Sequence, residues 1–168
     1  PKSRIIAASY ASSLSIKHSL DCRLVLSNPW YKRIFPDVKL TRDQNEKQKF
    51  MTTKRGFRMA SSVGASVVGE GGNFLIIDDP ISPAQAMNKH WREHVNSWFD
   101  HTFSTRLNNK KTGVIVLVMQ RLHSEDLSGY LLAKGGWEHL SLPAVATSPQ
   151  NYSFGNVTKF RETGELLH

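Results

Sequence analysis

Two apolar runs without polar alternation, FLII at residues 74–77 and VIVLV at 114–118, restrict the fold more than any other feature of the sequence. A strand with one wet face alternates apolar and polar side chains, whereas a strand buried on both faces does not. Both runs therefore read as interior strands. RIIAASY at 4–10 reads as another. Residues 13–27 carry Ile16, Leu20 and Leu24 at a helical spacing of four, with Ser12 or Ser13 as the expected cap. Residues 83–107 read as the longest helix, with Trp91, Val95, Trp98, Phe99 and Thr102 on one face. Strands of this kind alternating with helices imply an α/β fold with a mostly parallel sheet covered on both faces.

Smaller elements fill in the rest. NPWYKRIFPD has a proline at its start and another at its stop, so a short helical turn should end near Phe35. Segments rich in β-branched and aromatic residues flank Lys54-Arg55-Gly56, which predicts an added β-hairpin. VGEGGN at 68–73 is a glycine-rich loop with no helix after it; it lets the chain turn sharply into the next strand and is no dinucleotide fingerprint. Residues 124–136 read as a helix capped by Ser124 and stopped by Gly135. WEHLSLPAVA is a further strand candidate, and residues 147–168 are either a linker or an extra strand pair.

In a parallel α/β sheet, chemistry sits just past the carboxyl ends of the strands. Asp78-Asp79 and Gln120-Arg121 both occupy that place. A strand end holds a carboxylate rigidly, and magnesium takes oxygen ligands while keeping several waters. Pro80 ends the first strand, so both carboxylates can face one cleft: Asp78 on a hydrated metal, Asp79 on the metal or polarising a water. The plainer reading is that the two aspartates cap the helix that follows. Gln120 and Arg121 could sense a phosphate there, or Arg121 could simply pair with Asp78 or Asp79.

Charge adds a partner. The net charge is +8, and it is concentrated: residues 1–60 hold 13 Lys/Arg against four Asp/Glu, the remainder nine against ten. One basic side suggests a polyanion, with a solvated basic surface as the alternative. Lys54, Arg55 and Arg58, beside Phe57, are the expected nucleic-acid contacts. The single cysteine, Cys22, excludes an internal disulfide. No apolar run reaches the roughly 18 residues of a membrane span, so no membrane partner is expected. The chain opens at Pro1 without Met or a signal peptide and is expected to be cut from a longer protein.

GEGGNFLIIDDPIS, WFDHTFSTRLNNKKTG, VIVLVMQRLHSEDLSGYLL and GWEHLSLPAVA, in that order, resemble the ATPase domain of tailed-phage terminase large subunits. The upstream SYASSLSIKHSLDCRLVLSNPWYKRIFP is similar to the same family's segment before its basic hairpin, so the resemblance covers nearly the whole chain. It implies a three-layer RecA-like fold of the ASCE, P-loop NTPase type. It also implies an ATPase that uses ATP and Mg2+ to drive double-stranded DNA into a capsid. FLIIDD would be the Walker B strand, with Asp78 on magnesium through water and Asp79 where most such enzymes carry a catalytic glutamate. MQRLH would be the coupling motif, with Gln120 or Arg121 sensing the γ-phosphate. Implied partners are the terminase small subunit, the portal protein and further copies in a ring, in the cytoplasm of a bacterial host. No G-x-x-x-x-G-K-S/T occurs in these residues, and the family's nuclease domain is expected to follow the tail near GELLH. Residues 1–146 are thus expected to form a partial ATPase domain whose phosphate loop lies upstream, and 147–168 an extension. Such a piece alone should be inactive. An arginine finger is not placed among Arg55, Arg58 and Arg106.

Three other readings compete. HWREH at 90–94 matches H-x-x-E-H, which on a helix puts His90 and His94 on one face beside Glu93, with Glu125 as a possible further zinc ligand. His94 beside Trp98 reads more simply as a buried histidine. A two-metal nuclease would use Asp78 and Asp79 but needs further carboxylates on adjacent strand ends, where Gln120 stands instead. A non-enzymatic prophage remnant is the third.

Overall fold

The structure, a computed structural model, describes residues 1–67 and 69–167, and for Phe154 the backbone only. Val68, the first residue of the glycine-rich loop, and His168 lie outside the described residues. The chain divides into two compact units, Pro1–Lys134 and Gly135–His168.

The first unit is an α/β sandwich around a six-stranded sheet. Its elements, in order, are β1 (Arg4–Ser9), α1 (Ser12–Ser27), α2 (Pro29–Ile34), β2 (Leu40–Asn45), β3 (Lys49–Thr52), β4 (Phe57–Ser62), β5 (Phe74–Asp78), α3 (Pro83–Ala86), α4 (Lys89–Trp98), β6 (Val114–Val118) and α5 (Leu127–Lys134). The sheet order is β2-β3-β4-β1-β5-β6. β4, β1, β5 and β6 run parallel, and β2 and β3 add an antiparallel edge. The mostly parallel sheet and the β3–β4 hairpin are as the sequence predicts. β2 is not foreseen: TRDQN is polar and has no apolar alternation to reveal it.

Register separates the two faces. Ile6, Leu75 and Ile115 align across β1, β5 and β6, as do Ala8, Ile77 and Leu117. Ile6, Ala8, Leu75 and Ile77 are buried and Ile115 and Leu117 half-buried, and α4, its extension and α5 bury apolar residues of their own, Val95, Trp98, Phe103, Leu127 and Leu131. The other face carries Phe74, Ile76 and Asp78 on β5 beside Val114, Val116 and Val118 on β6. α1 packs against β4 and β1, and its His18 reaches Asp78. Beyond that, Phe74 and all three valines are exposed, Val118 by 55%.

Several local expectations are corrected. α1 begins at Ser12 behind Ala11, which offers no side-chain cap. Its buried positions are Ser15 and Ser19, not the Ile16–Leu20–Leu24 stripe, and Leu24 is 70% exposed. Small side chains let the helix backbone approach the sheet, and that closeness decides the face. The helix expected over 83–107 is broken. Ser82 caps α3, Asn88 caps α4 afresh, and a π-helical turn over Phe99–Phe103 and a 3-10 turn over Ser104–Arg106 follow. The π turn advances the inward position so that Phe103 rather than Thr102 is buried. Trp91 is exposed. α5 starts at Leu127, and its cap is Asp126, whose Oδ1 accepts from the Gly129 N–H at 2.9 Å; Ser124 lies two residues too early. Gly135, at φ 77°, does stop it.

In the second unit, residues 137–144 form no strand and Val145 makes only an isolated bridge with Leu166. Leu140 and Leu142 are exposed, and among the described residues no strand pairs with 137–143. The tail instead supplies an antiparallel hairpin, β7 (Gln150–Phe154) and β8 (Val157–Arg161). Arg161 is buried and donates to the carbonyls of Pro143, Ala144 and Glu165.

Candidate active site at the carboxyl ends of the strands

β5 ends at Asp78, and the next residue ties three strand ends together. The Asp79 N–H donates to the Val118 carbonyl at the end of β6, and its own carbonyl accepts from the Tyr10 N–H just past β1, both at 2.9 Å. Asp79 takes φ 44°, in the left-handed region. Aspartate enters that region more readily than most residues, yet a left-handed non-glycine costs on the order of 1–2 kcal/mol. Here hydrogen bonds on both sides and the buried Pro80 hold it in place. Strand alternation therefore stops at Asp78, as Pro80 led one to expect.

The Asp78 carboxylate is part-exposed on the α1 face, with its Oδ2 3.3 Å from His18 Nδ1. An oxygen donor at a fixed strand end, open on one side to water, matches what a hydrated magnesium ion requires. His18 is a site residue the sequence reading missed. Nothing in the helical pattern of 13–27 marks it, because its meeting with Asp78 is made only by the packing of α1 on the sheet.

Gln120 is exposed two residues past β6, the strand hydrogen-bonded to β5, so it stands at the same edge as Asp78 and Asp79. Arg121 has a different partner from either one considered. Its Nε lies 3.1 Å from Asp126 Oδ1, and its Nη2 donates to the carbonyls of His123 and Ser124. Asp126, 0% exposed, also accepts from the N–H groups of Leu122 and His123. It is the organising centre of the loop from 121 to 126. The adjacent Glu125 and the S-x-x spacing of Ser124 hid it in the sequence.

The basic residues separate. Lys54 and Arg55 are exposed at the tip of the β3–β4 hairpin, with Lys54 Nζ 3.9 Å from Asp37. Arg58 faces α1 from within β4. Its Nη1 is buried without a hydrogen-bond partner among the described residues, and burial lowers the guanidinium's proton affinity. The thiol of Cys22 beside it is pushed up by burial, against the opposing pull of Arg58.

His94, expected to be buried, is exposed, and so is His90. Glu125 pairs with Arg92 at 2.9 Å. Among the described residues no three His, Cys, Asp or Glu side chains are grouped to hold a metal ion. A cavity of about 650 Å3 between α4 and α5 is lined by Arg92, Asn96, Asp100, Glu125 and Tyr130. Its charges are matched internally, by Arg92 with Glu125 and by Lys134 with Asp100. Burial pushes the Asp100 carboxyl up, but hydrogen bonds from Tyr130 and Lys134 hold it below the usual carboxylate range. It contains none of the strand-end residues.

No protein-family model matches the chain, and no curated protein matches it. Among solved structures it is similar to the crystal structure of the HK97 bacteriophage large terminase, with a TM-score of 0.43 and 17% sequence identity over 79% of this chain. The chain spans 25% of that protein's length.

Proposed function

We propose that this chain carries the metal and water-activating half of an ATPase site, within a longer DNA-packaging motor of the terminase type. The observation that carries the reading is the pinned, left-handed Asp79 directly after Asp78, at the carboxyl ends of the central parallel strands. Backbone held in a costly conformation is more common at functional sites than elsewhere. The order and spacing of FLIIDD and VIVLVMQRLH support the same assignment.

In this reading Asp78 holds hydrated Mg2+ through water, and His18 fixes the rotamer of its carboxylate. Magnesium, when bound, supplies positive charge for phosphate oxygens. Asp79 accepts a proton from the attacking water. Gln120 lies within the same strand-end row and senses the terminal phosphate. Arg121, held by Asp126, sets the path of the loop that presents Gln120 and transmits its position to α5. The phosphate loop comes from a further strand that pairs with the edge of β6 left open among the described residues. Lys54 and Arg55 contact the duplex. The small subunit, the portal and a ring of copies belong to the longer protein.

ATP hydrolysis by this chain and by one extended upstream, each with and without Asp78→Ala, tests the reading. Hydrolysis by the extended chain alone, lost on the substitution, is the expected result. An extended chain that contains an intact phosphate loop yet leaves ATP untouched overturns it.

A further inference from the structure

α2 spends its aromatic residues on the surface. In PWYKRI and the Phe35 that follows, no helical residue is buried; Trp30 is 46% exposed, Phe35 47%, and Ile34 more. Burial would normally claim such side chains, and an exposed cluster of them marks a surface that something covers. The rings are not loose. Tyr31, half-buried, stands between the other two, with its centroid 5.8 Å from Trp30 and 4.8 Å from Phe35. Asn28 caps the helix through the Trp30 N–H, which fixes where the indole starts.

The charges around the rings are mostly positive, Asp37 being the acidic exception. Lys32 and Arg33 are exposed between them, and Lys32 and Lys39 line an adjoining groove of about 530 Å3 with Leu26, Pro36 and Asn45. The groove leads to the hairpin tip. The Thr53 N–H donates to the Lys39 carbonyl at 2.8 Å, and Asp37 pairs with Lys54. Braced, exposed rings with lysine and arginine between them, beside a groove that Lys32 and Lys39 line, are what unpaired bases and their phosphates require. A duplex keeps its bases stacked on one another and offers these rings nothing to stack on. An acidic peptide would use the charges but not two aromatic faces.

We propose that α2 and its groove form a binding platform for single-stranded DNA, with Trp30 and Phe35 stacking on bases and Lys32, Arg33 and Lys39 on phosphates. The choice of DNA over RNA rests on the packaging reading; the platform does not. Its test needs neither ATP nor magnesium, so the two proposals fail separately.

The test is fluorescence anisotropy of the 168-residue chain with labelled oligodeoxythymidine of about 12 nucleotides, a length within the usual single-strand site sizes. Oligouridine and a duplex of equal length are run beside it, with heparin as a base-free competitor. The chain should prefer oligodeoxythymidine to the duplex, and tryptophan emission should fall on binding. Trp30→Ala should weaken binding about tenfold with the salt slope unchanged, and Trp30→Phe should restore most of it. Lys32→Ala or Arg33→Ala should reduce the salt slope by about 0.7. Equal binding by Trp30→Ala and the wild type overturns the proposal, as does no preference over duplex or heparin. Tighter binding of oligouridine overturns the assignment to DNA.

Discussion

Asp126 shows how much one buried carboxylate organises. It accepts from three backbone N–H groups and lies against Arg121, while 44% of the Arg121 side chain remains in water. The two ends of this pair should therefore behave differently when removed. Arg121→Ala removes the end of the pair that is partly in water and leaves the backbone bonds to Asp126 in place, so it should cost less, about 1–2 kcal/mol. Asp126→Ala strands buried N–H groups and removes the α5 cap, so it should cost about 3 kcal/mol. Urea unfolding of the two variants measures this; equal losses would mean the ion pair, not the backbone bonds, holds the loop. The same contrast explains what was legible at this scale. Asp78 and Asp79 announce themselves because two carboxylates adjoin in sequence at the end of an apolar run. His18 and Asp126 do not, because what they do depends on a neighbour brought near by folding.

At the scale of elements, the unbroken runs at 74–77 and 114–118 were readable as strands of a parallel sheet, but only the first lies inside it: β6 is the edge strand among the described residues, and Val114, Val116 and Val118 are exposed where a strand covered on both faces was expected. Helix faces were less readable. The α1 pattern pointed to Ile16, Leu20 and Leu24, yet Ser15 and Ser19 face the sheet. A count of apolar residues cannot see that a close helix–sheet approach favours the smallest side chains. The reversal has a measurable consequence. Ser19→Leu must push α1 off β4 and β1, and overpacking of this kind costs about 1–3 kcal/mol. Leu24→Lys, at a position 70% exposed, should change stability by less than about 0.5 kcal/mol. Thermal unfolding of both decides between the observed face and the one the period suggests, which predicts the opposite order. The 137–146 segment misled for a related reason: residues 137–143 have the composition of a strand but pair with none among the described residues, and only 144–146 bond across, to 164–167.

For the whole molecule, the two faces of the sheet are unequal. One buries Ile6, Ala8, Leu75 and Ile77 and half-buries Ile115 and Leu117; the other carries α1 and leaves Phe74 and the β6 valines exposed. Among the described residues β6 also has no strand on its outer side. A flat apolar edge with unpaired N–H and C=O groups is a template for another strand. The 168-residue chain should accordingly self-associate as its concentration rises, and Val116→Lys, a charge set in the middle of that edge, should shift it toward monomer. Sedimentation across a concentration series reads this directly. A chain extended upstream separates two causes of such association. If an added strand docks on β6, self-association disappears without the lysine, and the β6 amides become slow to exchange. If association persists in the extended chain and Val116→Lys still suppresses it, the edge is an interface between copies. The phosphate loop would then have to reach Asp78 by another route.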